Sequence, residues 1–169
     1  CLFAGDLSLL LGQKGIGKLK HIDVTDNQIR ECVYQGDWLE SLNLSSNPVE
    51  KLQLSSIKKL SLADCPIQLK ADLCGRWMSS CESLELSFVL DSQFLLSLTA
   101  LKSLKVFRAE VPVSALSTLA MLPALSSVQF WFCWGFNGRA VCSFVRRCSV
   151  LRELKIVQCG LEEAEVVEL

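Results

Sequence analysis

Leu39-Glu40-Ser41-Leu42-Asn43-Leu44-Ser45-Ser46-Asn47-Pro48-Val49 places apolar residues at its first, fourth, sixth and last positions and an asparagine at its ninth. Leu42 and Leu44 are two apart, so on an extended chain they share one face while Asn43 and Ser45 point to the other. The frame recurs upstream at Leu19, Ile22, Val24, Asn27 and Ile29, and downstream at Ile57, Leu60, Leu62, Cys65 and Ile67. It returns at Cys81, Leu84 and Leu86; at Leu101, Leu104, Val106 and Val111; at Leu125, Val128, Phe130 and Cys133; and at Leu151, Leu154, Ile156, Cys159 and Leu161. Seven starts at 19, 39, 57, 81, 101, 125 and 151 give spacings of 20, 18, 24, 20, 24 and 26 residues.

A strand with one apolar row cannot bury that row alone; it must stack against equivalent rows of its neighbours, which predicts a parallel sheet. The ninth position has a different task. Its side chain can satisfy backbone groups in the turn leaving each strand, which stacking would otherwise bury unpaired. That column runs Asn27, Asn47, Cys65, Val89, Ala109, Cys133, Cys159. The repeat resembles the leucine-rich repeat family over residues 19–169. The resemblance implies an α/β solenoid, a horseshoe arc with a parallel concave sheet and with turns, 3-10 or short α-helices on its convex side. Turns are expected after the first two strands. Helices are expected at Asp91–Leu98, at Ser114–Leu122 behind Ser114 as the cap, and at Asn137–Cys148.

The 169 residues are 50% hydrophobic and 21% charged, which predicts a large buried core and argues against disorder. A net charge of −1 gives no whole-domain attraction to nucleic acid or to an anionic membrane. Apolar runs are broken by Ser, Gly or charge, so no spanning helix is expected. The chain opens within an apolar stretch and without Met, and is read as a fragment of a longer protein. Residues 1–18 are a lead-in segment or the remnant of a preceding repeat, and 19–169 hold about seven repeats.

Few residues suggest chemistry. Gly12, Gly17 and Lys18 have the spacing of a phosphate-binding loop, but Leu19 stands where a magnesium-binding hydroxyl is needed, and a strand follows instead of a helix. The nine cysteines show no Cys-x2-Cys pair. Cys65, Cys133 and Cys159 fall on the ladder column, and Cys142 and Cys148 on a predicted helix; no disulfide is expected, and a reducing, intracellular compartment is. His21, the single histidine, lies near Asp23, but no motif ties a nucleophile to the pair. The acceptor pattern Asn43-Leu44-Ser45 falls mid-strand, and the acidic run Glu162 to Glu168 reads as the polar face of a return helix. No cofactor, no metal and no enzymatic activity are expected.

The outward columns are more informative. The residue after each apolar pair is Thr25, Ser45, Ala63, Ser87, Phe107, Trp131, Val157, and the next is Asp26, Ser46, Asp64, Phe88, Arg108, Phe132, Gln158. Small and acidic residues give way to Phe88, Phe107, Arg108, Trp131 and Phe132, the expected partner-binding patch, since exposed aromatic rows and arginine mark interfaces. Phe132 is the ring that a long repeat would most readily tuck into its core. The resemblance, with a cysteine-type ladder like that of intracellular members, implies a protein-interaction module with its partner on the concave face. It would be the recognition part or scaffold of a larger assembly, a ubiquitin-ligase receptor or signalling adaptor. The alternative is an obligate structural subunit of a large complex such as a ribonucleoprotein. Nucleic acid is not expected as a direct ligand.

Overall fold

The computed structural model describes residues 4–11, 19–67 and 75–161. In it each apolar pair forms a short strand: β2 (His21–Asp23), β4 (Ser41–Asn43), β6 (Lys59–Leu62), β7 (Ser83–Leu86), β8 (Ser103–Phe107), β9 (Ser127–Trp131) and β10 (Glu153–Val157). They build a seven-stranded sheet in the order β10-β9-β8-β7-β6-β4-β2, every neighbour parallel. The register joins equivalent residues. Leu42 lies beside Ile22 and Leu60, and Leu104 beside Leu84 and Val128. Leu42, Leu60, Leu84, Leu104 and Val128 form one buried row, and Leu44, Leu62, Leu86, Val106 and Phe130 a second. On the terminal strand β10, Leu154 and Ile156 are only half-buried.

The opposite side changes along the chain. β1 (Ala4–Asp6), β3 (Gln28–Tyr34) and β5 (Lys51–Leu54) form a second, three-stranded parallel sheet, where turns were expected. The reason is distance: repeats of 20 and 18 residues must still recross the solenoid, and an extended chain advances about 3.3 Å per residue against 1.5 Å in a helix. The alternation Lys51-Leu52-Gln53-Leu54, with both leucines buried, carried that signal. The short helix α1 (Leu7–Leu11) follows β1. Further on, a 3-10 helix at Gly75–Ser79 buries Trp77 and Met78.

Longer repeats have room for helices α2 (Ser92–Leu96), α3 (Val113–Leu119) and α4 (Gly138–Arg147). Asp91 and Asn137 cap α2 and α4, accepting from the amides of Phe94 at 2.9 Å and Ala140 at 3.0 Å. α3 starts two residues earlier than expected, after Pro112, with no side-chain cap; Ser114 lies inside it. Phe94, Leu116, Leu119, Val141 and Phe144 press onto the leucine rows. Proline's extended backbone and missing N–H suit it to the place just before a helix.

Two turn devices hold the solenoid together. The Tyr34 hydroxyl accepts from the amides of Trp38 and Leu39, both at 2.9 Å, and a side chain at Gly36 would collide with it, its Cβ lying 2.6 Å from that oxygen. Buried Asn47 accepts from the Ile29 amide at 3.0 Å and donates to the carbonyls of Val24 (2.8 Å), Leu44 (2.9 Å) and Ser45 (3.1 Å), so one amide ties two repeats. Thiols take over later: Cys65 donates to Leu44 O at 3.1 Å, Cys133 to Val106 O at 3.4 Å and Cys159 to Phe130 O at 3.6 Å. Val89, assigned to this column by spacing, instead faces solvent.

Asn47→Ala strands those backbone groups and should cost about 3 kcal/mol, read as a lower urea midpoint at unchanged slope. A loss below about 1 kcal/mol would show that water replaces the amide. A second expectation concerns alkali. Burial pushes the Cys32 and Cys81 thiols up to about 12, whereas an unfolded thiol ionises near 8.5. The raised folded values give stability that is complete below the unfolded pKa and declines as pH rises toward 12. Urea midpoints measured between pH 8 and 11 should therefore fall, and fall less steeply in Cys81→Ala.

Candidate functional site

Six of the seven concave strands end in a turn with a positive φ: Asp26 (55°), Ser46 (56°), Asp64 (55°), Arg108 (48°), Phe132 (57°) and Gln158 (54°). This geometry lets the turn amide reach the next rung, as Asp26 N does to Ser45 O (3.0 Å), Ser46 N to Ala63 O (2.8 Å), Arg108 N to Trp131 O (2.9 Å) and Phe132 N to Val157 O (2.8 Å). An L-residue here costs roughly 1–2 kcal/mol, least for Asp or Asn and most for bulky side chains. Asp26 and Asp64 fit the position. Arg108 and Phe132 do not, and they hold it nonetheless.

The ladder is interrupted at the fourth repeat. Asp64 N donates to the Ser87 hydroxyl at 3.0 Å instead of to a carbonyl, and Phe88 does not adopt the left-handed turn. Its ring packs edge-on against Phe94, 6.2 Å away at 61°, and Val89 swings outward. The structure therefore turns Phe88 toward the core and away from the other four members of the expected patch.

Those four come together in two pairs. Phe107 and Trp131 are in register on β8 and β9, half-buried, with centroids 6.3 Å apart and planes 19° from parallel. Trp131 Nε1 donates to Gln129 Oε1 at 3.3 Å, which fixes the indole. Arg108 lies over the Phe132 ring, 5.9 Å from its centroid, and reaches Asp64 at 3.4 Å across the rung where Phe88 has turned away. Phe132, the ring expected to tuck inward, is 44% exposed. Trp134, which sequence reasoning missed, is 54% exposed beside it. Cys133 is buried between them: the positive-φ turn at Phe132 breaks the strand's alternation, so that Trp131 and Phe132 both lie outward, and beyond the buried ladder residue Trp134 turns outward again. Trp134 is anchored by its backbone, N–H to Ala109 O at 3.2 Å and C=O from Val111 N at 2.7 Å.

Other sequence candidates are not assembled. His21 is exposed, while the Asp23 carboxylate accepts from the Thr25 hydroxyl (2.6 Å), the Thr25 amide (3.0 Å) and Asn43 Nδ2 (3.1 Å), bonds that hold its pKa below the usual range. The Asn43 amide of the glycan-acceptor pattern is engaged there and with Ser45 N at 3.1 Å. Among the described residues no group of three or more His, Cys, Asp or Glu converges to hold a metal. Burial raises the Cys65, Cys133 and Cys148 pKa values, which suppresses the thiolate. The glycine-rich stretch 12–18 and the acidic stretch 162–169 lie outside the described residues.

A family model described as Leucine Rich Repeat matches residues 38–60, from Trp38 through β4, the Asn47 turn and β5 into β6. Over these residues the chain is similar to the leucine-rich repeat family, and the parallel strands that repeat the same frame along the chain fit a leucine-rich repeat solenoid. Members of this family are typically non-enzymatic protein-interaction modules, and a general protein-interaction role follows for this leucine-rich repeat protein. A search of curated proteins returns no match. Among the described residues no helix is long and apolar enough to cross a membrane.

If the turn at Phe132 is strained and its ring contributes little to the core, Phe132→Gly should leave the domain as stable as before or up to about 1 kcal/mol more stable. Thermal unfolding followed by circular dichroism measures this, and a loss of more than about 1 kcal/mol would place the ring in the core.

Proposed function

We propose that this leucine-rich repeat domain recognises a partner protein through Phe107, Arg108, Trp131 and Phe132, with Trp134 at the rim. The observation that carries the reading is that Arg108 and Phe132 occupy left-handed turn positions while their side chains remain exposed. Strain at exposed residues with no core role points to function, because stability alone favours Asp, Asn or Gly there. Tryptophan and arginine are also the side chains most enriched among interface hot spots. A preorganised indole stacked on a phenyl ring loses little rotamer freedom on binding.

In this reading the domain is the recognition part or scaffold of a multi-subunit assembly, as a ubiquitin-ligase receptor or signalling adaptor would be. Support for an intracellular setting comes from thiols serving as hydrogen-bond donors within the ladder, a role that requires them reduced.

Crosslinking mass spectrometry in cell extract, with Phe107→Ala/Trp131→Ala compared against Asp23→Ala/Asp26→Ala, tests the proposal. Each hot-spot truncation costs about 2 kcal/mol or more, so the aromatic pair should weaken the partner's affinity about a thousandfold and remove its crosslinks. The fold should lose only about 1 kcal/mol, since both rings are half-buried. Retention of the crosslinks in the aromatic variant with their loss in the acidic one would move recognition to the first repeats.

A further inference from the structure

The thiols of the ladder are unequally placed. Among the described residues seven cysteines are free, and of these Cys159 alone is not buried. In the ninth-position column Cys65 stands between Asn47 and Val89, and Cys133 has Ala109 on one side, so Cys133 and Cys159 are the one neighbouring pair of ladder thiols. β9 and β10 run in register to Trp131 and Val157, and the turn residues that follow, Phe132 and Gln158, share a positive φ of 57° and 54°. The two cysteines therefore leave turns of the same shape on adjacent strands. Cys159 Sγ accepts from the Cys133 amide at 3.3 Å, which holds that sulfur beside its neighbour.

Adjacent parallel strands lie about 4.8 Å apart, inside the roughly 4.4–6.8 Å between Cα atoms that a disulfide spans. Each thiol has a task when reduced: Cys133 donates to Val106 O at 3.4 Å and Cys159 to Phe130 O at 3.6 Å. Their access differs. Burial raises the Cys133 pKa, so that thiol stays protonated, while solvent reaches Cys159 on the terminal strand of the sheet.

We propose that Cys133 and Cys159 form an oxidation site, which hydrogen peroxide converts reversibly from two ladder thiols to one disulfide. Cys159 Sγ attacks the O–O bond, keeping one hydroxyl as a sulfenic acid while the other leaves with the thiol proton as water. Cys133 Sγ then attacks the Cys159 sulfur; the S–OH bond breaks, and the hydroxide departs with the Cys133 proton as a second water. Two thiols lose two electrons and two protons, and one peroxide gains them. Side chains in parallel register hold their Cβ atoms farther apart than the roughly 3.8 Å of a relaxed bridge, so the bond is strained and readily reduced again. It has no S–H to give, so the carbonyls of Val106 and Phe130 lose their donors as it forms. Cys133 stands between Phe132 and Trp134, which places the reaction beneath the exposed turn.

The test treats the folded chain with hydrogen peroxide near neutral pH, blocks remaining thiols with N-ethylmaleimide, and maps the digest of the monomeric fraction by mass spectrometry. Cys133 and Cys159 should lose their adducts together and appear as one linked peptide, two hydrogens lighter than its parts, while buried Cys32, Cys65, Cys81, Cys142 and Cys148 keep theirs. Reduced glutathione added before blocking should restore both adducts. In Cys159→Ser, Cys133 should become as resistant to peroxide as Cys65. In Cys133→Ser, whose hydroxyl can still donate to Val106 O, Cys159 should stop at the sulfenic acid and be trapped by dimedone. The proposal is overturned if Cys159 of the unsubstituted chain stays open to alkylation, if it runs on to sulfinic acid with no linked peptide, or if either cysteine links first to a different one. A bond that survives glutathione overturns its reversibility.

Discussion

A leucine row two residues long is too small to exclude water by itself, and this constraint organises everything else in the molecule. Leu60 is dry because Leu42 and Leu84 flank it in register and the opposite layer covers it. A one-residue slip of any strand would turn its apolar pair outward, so burial fixes the register. Fixed register then aligns the outward residues into rows. The pairing of Phe107 with Trp131, and of Ser41 with Lys59 and Ser83, follows from packing on the other side of the sheet.

Stacking creates a second demand, because each strand must stop and turn between neighbours that hide its backbone from water. Two solutions appear. Asn47 satisfies four backbone groups with one amide, while Cys65, Cys133 and Cys159 each cover a carbonyl of the preceding repeat with a thiol, a weaker donor. Where the column supplies Ala109 or Val89, neither solution is available; buried Ala109 still follows a positive-φ turn at Arg108, while Val89 faces solvent. There the turn shifts, Phe88 swings toward Phe94, and the backbone ladder is broken between Asp64 and Arg108. The Arg108–Asp64 ion pair spans this seam, so the residue at the core of the aromatic site is steadied from the third repeat.

Much of this was legible because repeat spacing and side-chain alternation are direct consequences of the packing. Leu39 to Val49 specified the strand, the turn and the inward row, and Asp91 and Asn137 announced their helices. What escaped was set by the geometry of the backbone between those marks. The return strand at Lys51–Leu54 showed its alternation over too few residues to stand against a turn. Phe88 and Phe132 occupy the same column, yet one is inward and the other outward because only Phe132 takes the positive φ. Nothing in their identities distinguishes them; the residues that follow differ, Val89 facing solvent and Cys133 buried with its thiol on Val106 O. Trp134 was missed because the columns were followed only to the turn, where the positive φ at Phe132 shifts the phase of the alternation.

The turn column is therefore the place where this solenoid can vary its recognition surface at least cost to its fold. Its side chains point away from the core, while the backbone amide does the structural work whatever the side chain. A residue disfavoured in the left-handed region costs about 1–2 kcal/mol, which a domain with a continuous leucine core can bear once or twice but not at every rung. Asp26 and Asp64 suit the position, Ser46 and Gln158 suit it less, and the two side chains that contact each other, Arg108 and Phe132, stand on adjacent repeats. That contact also makes the strain useful, since a cation resting on a ring and an indole stacked on a phenyl need little rearrangement to meet a partner.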